Sequence, residues 1–378
     1  MKGRGIALAL LLWSACDTAA LPDPTAPGPH AVATTTIPIT AGESRTLEAA
    51  VWYPVGKRGG TASGKHPLLV FSHGLCGLPT SATFLCEALA SFGVIVIAPP
   101  HPASQLGPDC LAGVATSFAE RPGEVRAAID AMLAAGSPFA RRIRRGRIGI
   151  AGHSFGGQTA IRVAAADPRI RVAAAFAPAF YGPAVAGLAP EVPTVVMVGA
   201  LDTFAPPDTQ AWPYYALLRG PRLFVQIANT GHFAFSDRCT FGMGRPDCGP
   251  GTLSQSEAHA HVLRVAVPFL LRHLTGRRAW GRLSSARGLP ADLATSLTVR
   301  SSRRPRCSGT RAPDRRCRRR QDALRRPRRR GALQTSIARP GRRSRSAERG
   351  RCAAPRRGGR QGGAAVVQIC AGLRPLTD

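Results

Sequence analysis

Residues Arg147-Ile148-Gly149-Ile150-Ala151-Gly152-His153-Ser154-Phe155-Gly156-Gly157-Gln158 decide the fold. A short apolar run ends at Ala151, a Gly-x-Ser-x-Gly string follows, and a helical pattern opens after it. Strand, tight turn and helix in that order hold a serine on a strained turn with its hydroxyl exposed. The flanking glycines fit this reading, because neighbours without a β-carbon let strand and helix approach closely.

Outward from the turn the pattern repeats. Apolar runs at 47–53, 68–72, 94–98, 147–151, 172–176, 194–198 and 223–227 are rich in Val and Ile, as strands buried on both faces would be. Amphipathic stretches at 82–91, 122–134, 158–166, 210–218 and 254–274 fit helices between them. Pro122 is expected to open the second helix, Ser254 with Glu257 makes a capping box for the last, and Pro268 falls inside it. Alternating strands and helices imply an α/β fold, a mainly parallel sheet covered by helices on both faces. In such sheets reactive residues gather on loops at the carboxyl ends of strands.

Ser154 needs a base to attack at neutral pH. His232, in Gly231-His232-Phe233 just past the last strand, is the best placed of nine His residues. His153 adjoins the nucleophile but points apart from it on a tight turn, which suits a structural role in the elbow with Gly152 and Gly156. An acid must orient the imidazole. Asp202 follows the 194–198 strand and falls between Ser154 and His232 in order; Asp208 is the fallback, with a helix N-cap as its other reading, and Asp237 the third choice. The oxyanion needs two backbone donors, expected from Phe155 and from Leu75 in the Ser72-His73-Gly74-Leu75 loop. His73 and His101, at strand ends on the same edge, are expected to line the substrate pocket, with local hydrogen bonding to loop backbone as the other reading.

The two ends differ from this middle. Lys2 and Arg4, the apolar run 6–13 and small residues before Cys16 have the order of an export signal, too short to span a bilayer. Trp13-Ser14-Ala15-Cys16 admits both free secretion and lipid anchoring at Cys16. Residues 21–35, Pro-rich, read as a linker to a domain at 36–280. The chain carries a net charge of +30, and from Arg300 onward 25 Arg stand against four acidic residues. No Phe, Tyr or Trp occurs after Trp280, so residues 281–378 read as an Arg-rich low-complexity tail. Three readings are open for it: an anion-binding arm, a disordered segment, or an out-of-frame translation of GC-rich DNA. It has no nucleic-acid motif and no aromatic to stack a base, so no nucleic-acid partner is expected. Outside the signal and tail lie five Cys; Cys239 and Cys248 enclose a short Gly/Pro loop suited to a disulfide, while the pairing of Cys76, Cys86 and Cys110 stays open. No Cys/His spacing suits a metal, and no cofactor is expected.

Val51-Trp52-Tyr53-Pro54, Phe71-Ser72-His73-Gly74-Leu75, the 152–157 elbow and the Arg121-Pro122 helix start together resemble the dienelactone hydrolase-like and platelet-activating factor acetylhydrolase-like members of the α/β-hydrolase superfamily. The stretch 193–206 with Gly231-His232-Phe233-Ala234 is similar to bacterial cutinases and polyester hydrolases. The first relatives place the acid after the strand that follows the nucleophile helix, where this chain has Phe176-Ala177-Pro178-Ala179 and no carboxylate. The second relatives' position is that of Asp202. The polyester hydrolases carry a Trp beside the elbow where Ala179 stands here, followed by Phe180; these two and Phe233 are the remaining expected pocket residues. The resemblance implies an α/β-hydrolase fold and a monomeric, exported serine esterase for short to medium acyl esters. A polyester hydrolase or lipase is the first alternative, and an inactive binding protein on the same fold the second.

Overall fold

Runs of β-branched residues buried on both faces become the centre of one sheet. In the computed structural model, which describes residues 21–42, 45–179, 190–238, 253–283 and 297–302, this sheet has nine strands. The chain divides into two units, residues 1–306 and 307–378, and every described residue belongs to the first. Strands β3 (His66–Ser72), β4 (Ile95–Ala98), β5 (Ile143–His153), β6 (Ile170–Phe176), β7 (Thr194–Gly199) and β8 (Arg222–Ile227) form its parallel part. Strands β1 (Val32–Ala41) and β2 (Arg45–Pro54) add antiparallel pairs beyond β4. With β9 (Leu297–Ser302) beside β8, the order is β1-β2-β4-β3-β5-β6-β7-β8-β9. The chain leaves β3 first to one side and then to the other, so the sheet has its switch point between β3 and β5, where Ser72 pairs with Gly152. Loops leaving the carboxyl ends of those strands diverge there and leave a crevice.

Helices cover both faces. Helices α1 (Thr83–Ser91) and α5 (Gln255–Thr275) pack Leu85, Leu89, Val262 and Leu270 against Leu69, Phe71, Val96 and Phe176. Helices α2 (Val114–Leu133) and α3 (Phe155–Ala166) pack Val125, Ile129, Ala160 and Val163 against Leu68, Val70, Ile148 and Ile150 on the other face. Helix α4 (Ala211–Leu217) closes a third cluster with Tyr214, Val196 and Phe224, and a short helix α6 (Trp280–Leu283) follows α5. Each fully buried Leu, Ile or Val side chain contributes roughly 1.5–3 kcal/mol relative to exposure. The capping box expected at Ser254 and Glu257 is formed, with Ser254 Oγ accepting from the Glu257 amide.

Three expectations are corrected. The linker placed at 21–35 overlaps β1 and is held to the domain: the Gly28 amide donates to Ser91 Oγ at 2.8 Å, His30 N to the Ser91 carbonyl at 3.1 Å, and Leu21 packs against the core. Helix α2 starts at Val114, two turns before Pro122. Proline lacks the N–H that would bond the carbonyl four residues back; Arg162 supplies a donor instead, its Nη1 bonding the Phe118 carbonyl and its guanidinium lying 3.7 Å from the Phe118 ring centroid. Inside the stretch 281–378, read as a tail, β9 (Leu297–Ser302) pairs antiparallel with β8.

Candidate active site

All four non-glycine residues with positive φ among the described residues lie just past the carboxyl end of a parallel strand: Cys76 after β3, Ser154 after β5, Ala177 after β6 and Asn229 after β8. Such conformations cost about 1–3 kcal/mol each and persist where the surroundings enforce them. They mark one rim of the sheet.

Ser154 has φ 56° and ψ −120° and precedes α3 directly. Its amide donates to the Phe176 carbonyl at 2.8 Å, and its own carbonyl accepts from Gly157 N at 2.9 Å and Ala179 N at 3.3 Å. The close approach expected of the glycines is literal. A β-carbon on Gly152 would stand 2.2 Å from the Gly156 carbonyl oxygen, and one on Gly156 would stand 1.9 Å from that of Ser72. The elbow is thereby pressed against the end of β3.

His232 opens a 3-10 turn, His232–Phe235, after β8. Its Nδ1–H donates to Asp202 Oδ2 at 2.8 Å, with both residues buried. Asp202 Oδ1 accepts from Phe204 N at 3.0 Å and Ala205 N at 2.7 Å, which fixes the carboxylate in its loop after β7. This tautomer leaves His232 Nε2 with a lone pair, the form a general base requires. The ring is bracketed by Phe204, whose centroid is 5.4 Å away, and by Phe233 at 5.3 Å. His153 Nε2–H donates to the His232 carbonyl at 2.9 Å, so the elbow's own imidazole holds the backbone of the second one. Burial, then the neighbouring His232, hold His153 well below its ordinary pKa. No hydrogen bond joins Ser154 Oγ to His232 among the described residues; such contacts often close only when substrate is present.

Of the other acids, Asp208 is exposed, and α4 begins three residues later with Gln210 at its N-cap, so among the described residues Asp208 caps no helix. Asp237 accepts from the Thr83 and Phe84 amides and caps α1; burial raises its pKa.

The loop after β3 puts the Leu75 amide at the same rim, and that N–H has no acceptor among the described residues. Phe155, the residue after the serine, is fully buried. Cys76, next to Leu75, is bonded to Cys110, while Cys86 is free and buried. Cys239 and Cys248 lie outside the described residues, as do Phe180, Cys16 and residues 307–378.

His73 and His101 do not line a pocket: both are at 0% exposure, beneath the loop. His73 Nδ1–H donates to the Gly74 carbonyl at 2.7 Å, and its Nε2 has no partner among the described residues. His101 joins Ser72 Oγ, 2.8 Å from its Nε2, to Glu124 Oε2, 2.7 Å from its Nδ1. Glu124 Oε1 in turn accepts from Arg45 at 2.6 Å. Burial lowers His73 to about 3, holds His101 well below its ordinary value, and raises Glu124 to about 7. Both residues follow strand ends at the same rim, but Glu124 lies 23 residues from His101 and no spacing in the sequence announces their contact. Ala179 and Phe233 are 4% and 5% exposed and sit against the elbow and the His232 ring. Among the described residues no group of three or more His, Cys, Asp or Glu is placed to hold a metal, and no helix is long and apolar enough to cross a membrane.

Residues 17–245 match the family described as PETase: PET hydrolase-like. The chain is similar to cutinase est1 of Thermobifida alba, 29% identical over 169 residues that make 44% of this chain and 53% of the relative. It is also similar to cutinase cut1 of Thermobifida fusca, 29% identical over 169 residues, covering 44% and 49%. A third relative is bis(hydroxyethyl) terephthalate hydrolase of Streptomyces coelicolor, 28% identical over 211 residues, covering 55% of this chain and 62% of the relative. The chain spans about half the length of the first of these curated relatives.

Proposed function

The chain belongs to the PET hydrolase-like family, and on that premise we propose that it is an exported serine carboxylic ester hydrolase, working through an acyl-enzyme and taking polyesters among its substrates. The observation that carries the chemistry is the buried 2.8 Å bond from His232 Nδ1 to Asp202, with Ser154 on the elbow at the same rim. Ser154 Oγ attacks the ester carbonyl and its proton passes to His232 Nε2. Asp202 stabilises the resulting imidazolium, and the amides of Leu75 and Phe155 donate to the oxyanion. Collapse of the tetrahedral adduct breaks the bond to the alcohol, which leaves with the proton from His232. Water, deprotonated by His232, then attacks the acyl-enzyme, and the acid is released as Ser154 recovers its proton.

The polyester reading rests on the family and on relatives named as cutinases and as a terephthalate ester hydrolase. A soluble esterase for short to medium acyl chains is the second reading. Ala179 favours it, standing beside the elbow with a methyl group where an aromatic surface would hold a polymer's ring. Export is supported by the amino-terminal order of charge, apolar run and small residues, and by the Cys76–Cys110 bond, which suits an oxidising compartment. Mass spectrometry of the mature chain distinguishes free secretion from lipid anchoring at Cys16.

The test is the initial rate on p-nitrophenyl esters from acetyl to palmitoyl, with a polyester film alongside, for the full chain and for Ser154→Ala. Soluble acid released from the film by the wild type alone supports the polyester reading; turnover restricted to short esters moves the second reading ahead. A folded wild-type chain without turnover on any ester favours an inactive binding protein.

A further inference from the structure

The sequence singles out Arg121 at an Arg-Pro step, and the chemistry above gives it no part. It is fully buried in α2, with its guanidinium under the loop that follows β3. Nη1 donates to the His73 carbonyl, and Nη2 to the Gly74 carbonyl at 3.2 Å and to Ser104 Oγ at 2.8 Å. Nε donates to Ser117 Oγ at 2.8 Å and lies 3.3 Å from Ser104 Oγ. On its other side, Cζ lies 4.4 Å from the centroid of the Phe155 ring.

Elementary peptide geometry gives these contacts a consequence. A trans peptide is planar, with its carbonyl and its N–H on opposite edges. The Gly74 carbonyl and the Leu75 N–H belong to one such plane. With the carbonyl turned toward Arg121, the Leu75 N–H points the other way, and it has no acceptor there among the described residues. The same carbonyl also accepts from His73 Nδ1 at 2.7 Å and Gly77 N at 3.1 Å. Three donors on one carbonyl, one of them a full cation, polarise the peptide and make its N–H a stronger donor. Phe155, whose ring the cation faces, carries the other proposed oxyanion donor.

We propose that Arg121 is the positioning residue of the oxyanion hole: it fixes the Gly74–Leu75 peptide with its N–H toward the reacting carbonyl and braces that loop against Phe155. Ser104 and Ser117 hold the guanidinium in register from the far side. The inference rests on the reading of Ser154, Leu75 and Phe155 given above. Lysine keeps the charge but loses the planar fork that reaches two carbonyls and two hydroxyls at once.

The experiment compares wild type, Arg121→Lys, Arg121→Met and Ser117→Ala in the full chain. Read out are kcat and KM on a p-nitrophenyl ester, inhibition by an alkyl boronic acid, which forms a tetrahedral adduct on the serine, and inhibition by the carboxylate product as a ground-state probe. Expected are a fall in kcat of at least tenfold for Arg121→Lys, KM within threefold, and a loss of boronate affinity tracking the loss of kcat/KM while product affinity holds. Ser117→Ala, which leaves the cation in place, should show the same pattern more weakly and covers the case in which an Arg121 variant does not fold. A merely structural role would lower the melting temperature and leave the ratio of boronate to product affinity unchanged; that result overturns the proposal. Should Ser154→Ala retain turnover, the underlying reading fails; should Ser154→Ala be dead while Arg121→Lys and Ser117→Ala keep wild-type kcat and boronate affinity, this inference alone fails.

Discussion

A methyl group at Gly156 should damage turnover far more than folding. Its carbon would stand 1.9 Å from the Ser72 carbonyl oxygen, 2.5 Å from the Ser72 carbonyl carbon and 2.7 Å from the His73 carbonyl oxygen. All three are backbone atoms, so no side-chain rotation relieves the clash. Reaching ordinary contact near 3.4 Å requires the end of β3 and the start of α3 to separate by about 1.5 Å along that direction. Ser72 ends β3 and leads directly into the loop that carries the Leu75 donor, whereas Gly156 is two residues from Ser154. The two halves of the proposed site therefore move apart, and a displacement of about 1 Å costs on the order of 100-fold in rate. Overpacking costs about 1–3 kcal/mol, a drop of roughly 2–12 °C in Tm for a domain of this size. We expect Gly156→Ala to be folded at 25 °C with kcat down about 100-fold, read by steady-state rates on a p-nitrophenyl ester beside a thermal melt. Gly123→Ala in α2 is the control: a β-carbon there meets nothing within 4 Å, and alanine should add about 0.5–1 kcal/mol to stability. A Gly156→Ala enzyme within twofold of the wild-type kcat would refute the reasoning.

Two further expectations concern stability. Cys110→Ser opens a bond that spans 34 residues of sequence, and chain entropy puts the loss at about 4 kcal/mol; because Cys76 adjoins Leu75, kcat should fall as well, and a variant with unchanged melting temperature and rate would count against the bond's role. Acid should weaken the fold in a defined window. His73, His101 and His153 are held below their ordinary pKa by burial, so the folded chain keeps them neutral while the unfolded chain takes up protons below about 6.5. Glu124, raised to about 7, opposes this, since the fold keeps its proton between 4.5 and 7 after the unfolded chain has lost it. His30, His259 and His273 are depressed by burial in the same sense, so the histidines together outweigh Glu124 and stability should fall, by on the order of a few kcal/mol, as pH drops from 6 to 5. Urea midpoints across that range check it, and a flat or rising stability on acidification would contradict the burial argument.

The central strands were legible because each of β3 to β8 contains a short apolar stretch that is mostly buried, and the glycines of the elbow stand where a β-carbon would meet backbone atoms. Strand β1 was not. Its Thr34-Thr35-Thr36 and Pro38 sit on an edge strand that pairs on one side only, so polarity and proline are tolerated where they usually argue against a strand. Helix α2 was read from Pro122 because proline suits a first turn, and nothing near it in sequence reveals that Arg162 replaces the missing donor. Asp202 and His232 could be named from their order after strands, a one-dimensional signal. Pocket roles for His73 and His101 could not be judged that way, because their burial depends on Arg121 and Glu124 of α2 meeting Ser72 of β3, segments far apart in sequence. The Cys76–Cys110 bond likewise joins segments that only the fold brings together.

Ser154 as the nucleophile is the centre of the proposed chemistry. Intact-mass and peptide analysis of the full chain after treatment with a p-nitrophenyl alkylphosphonate measures this directly. One phosphonyl group per chain, on the peptide containing Ser154, with turnover lost in proportion and no labelling of Ser154→Ala, is the result the account predicts. Labelling at another residue, or an unlabelled chain that still hydrolyses esters at its original rate, would contradict it.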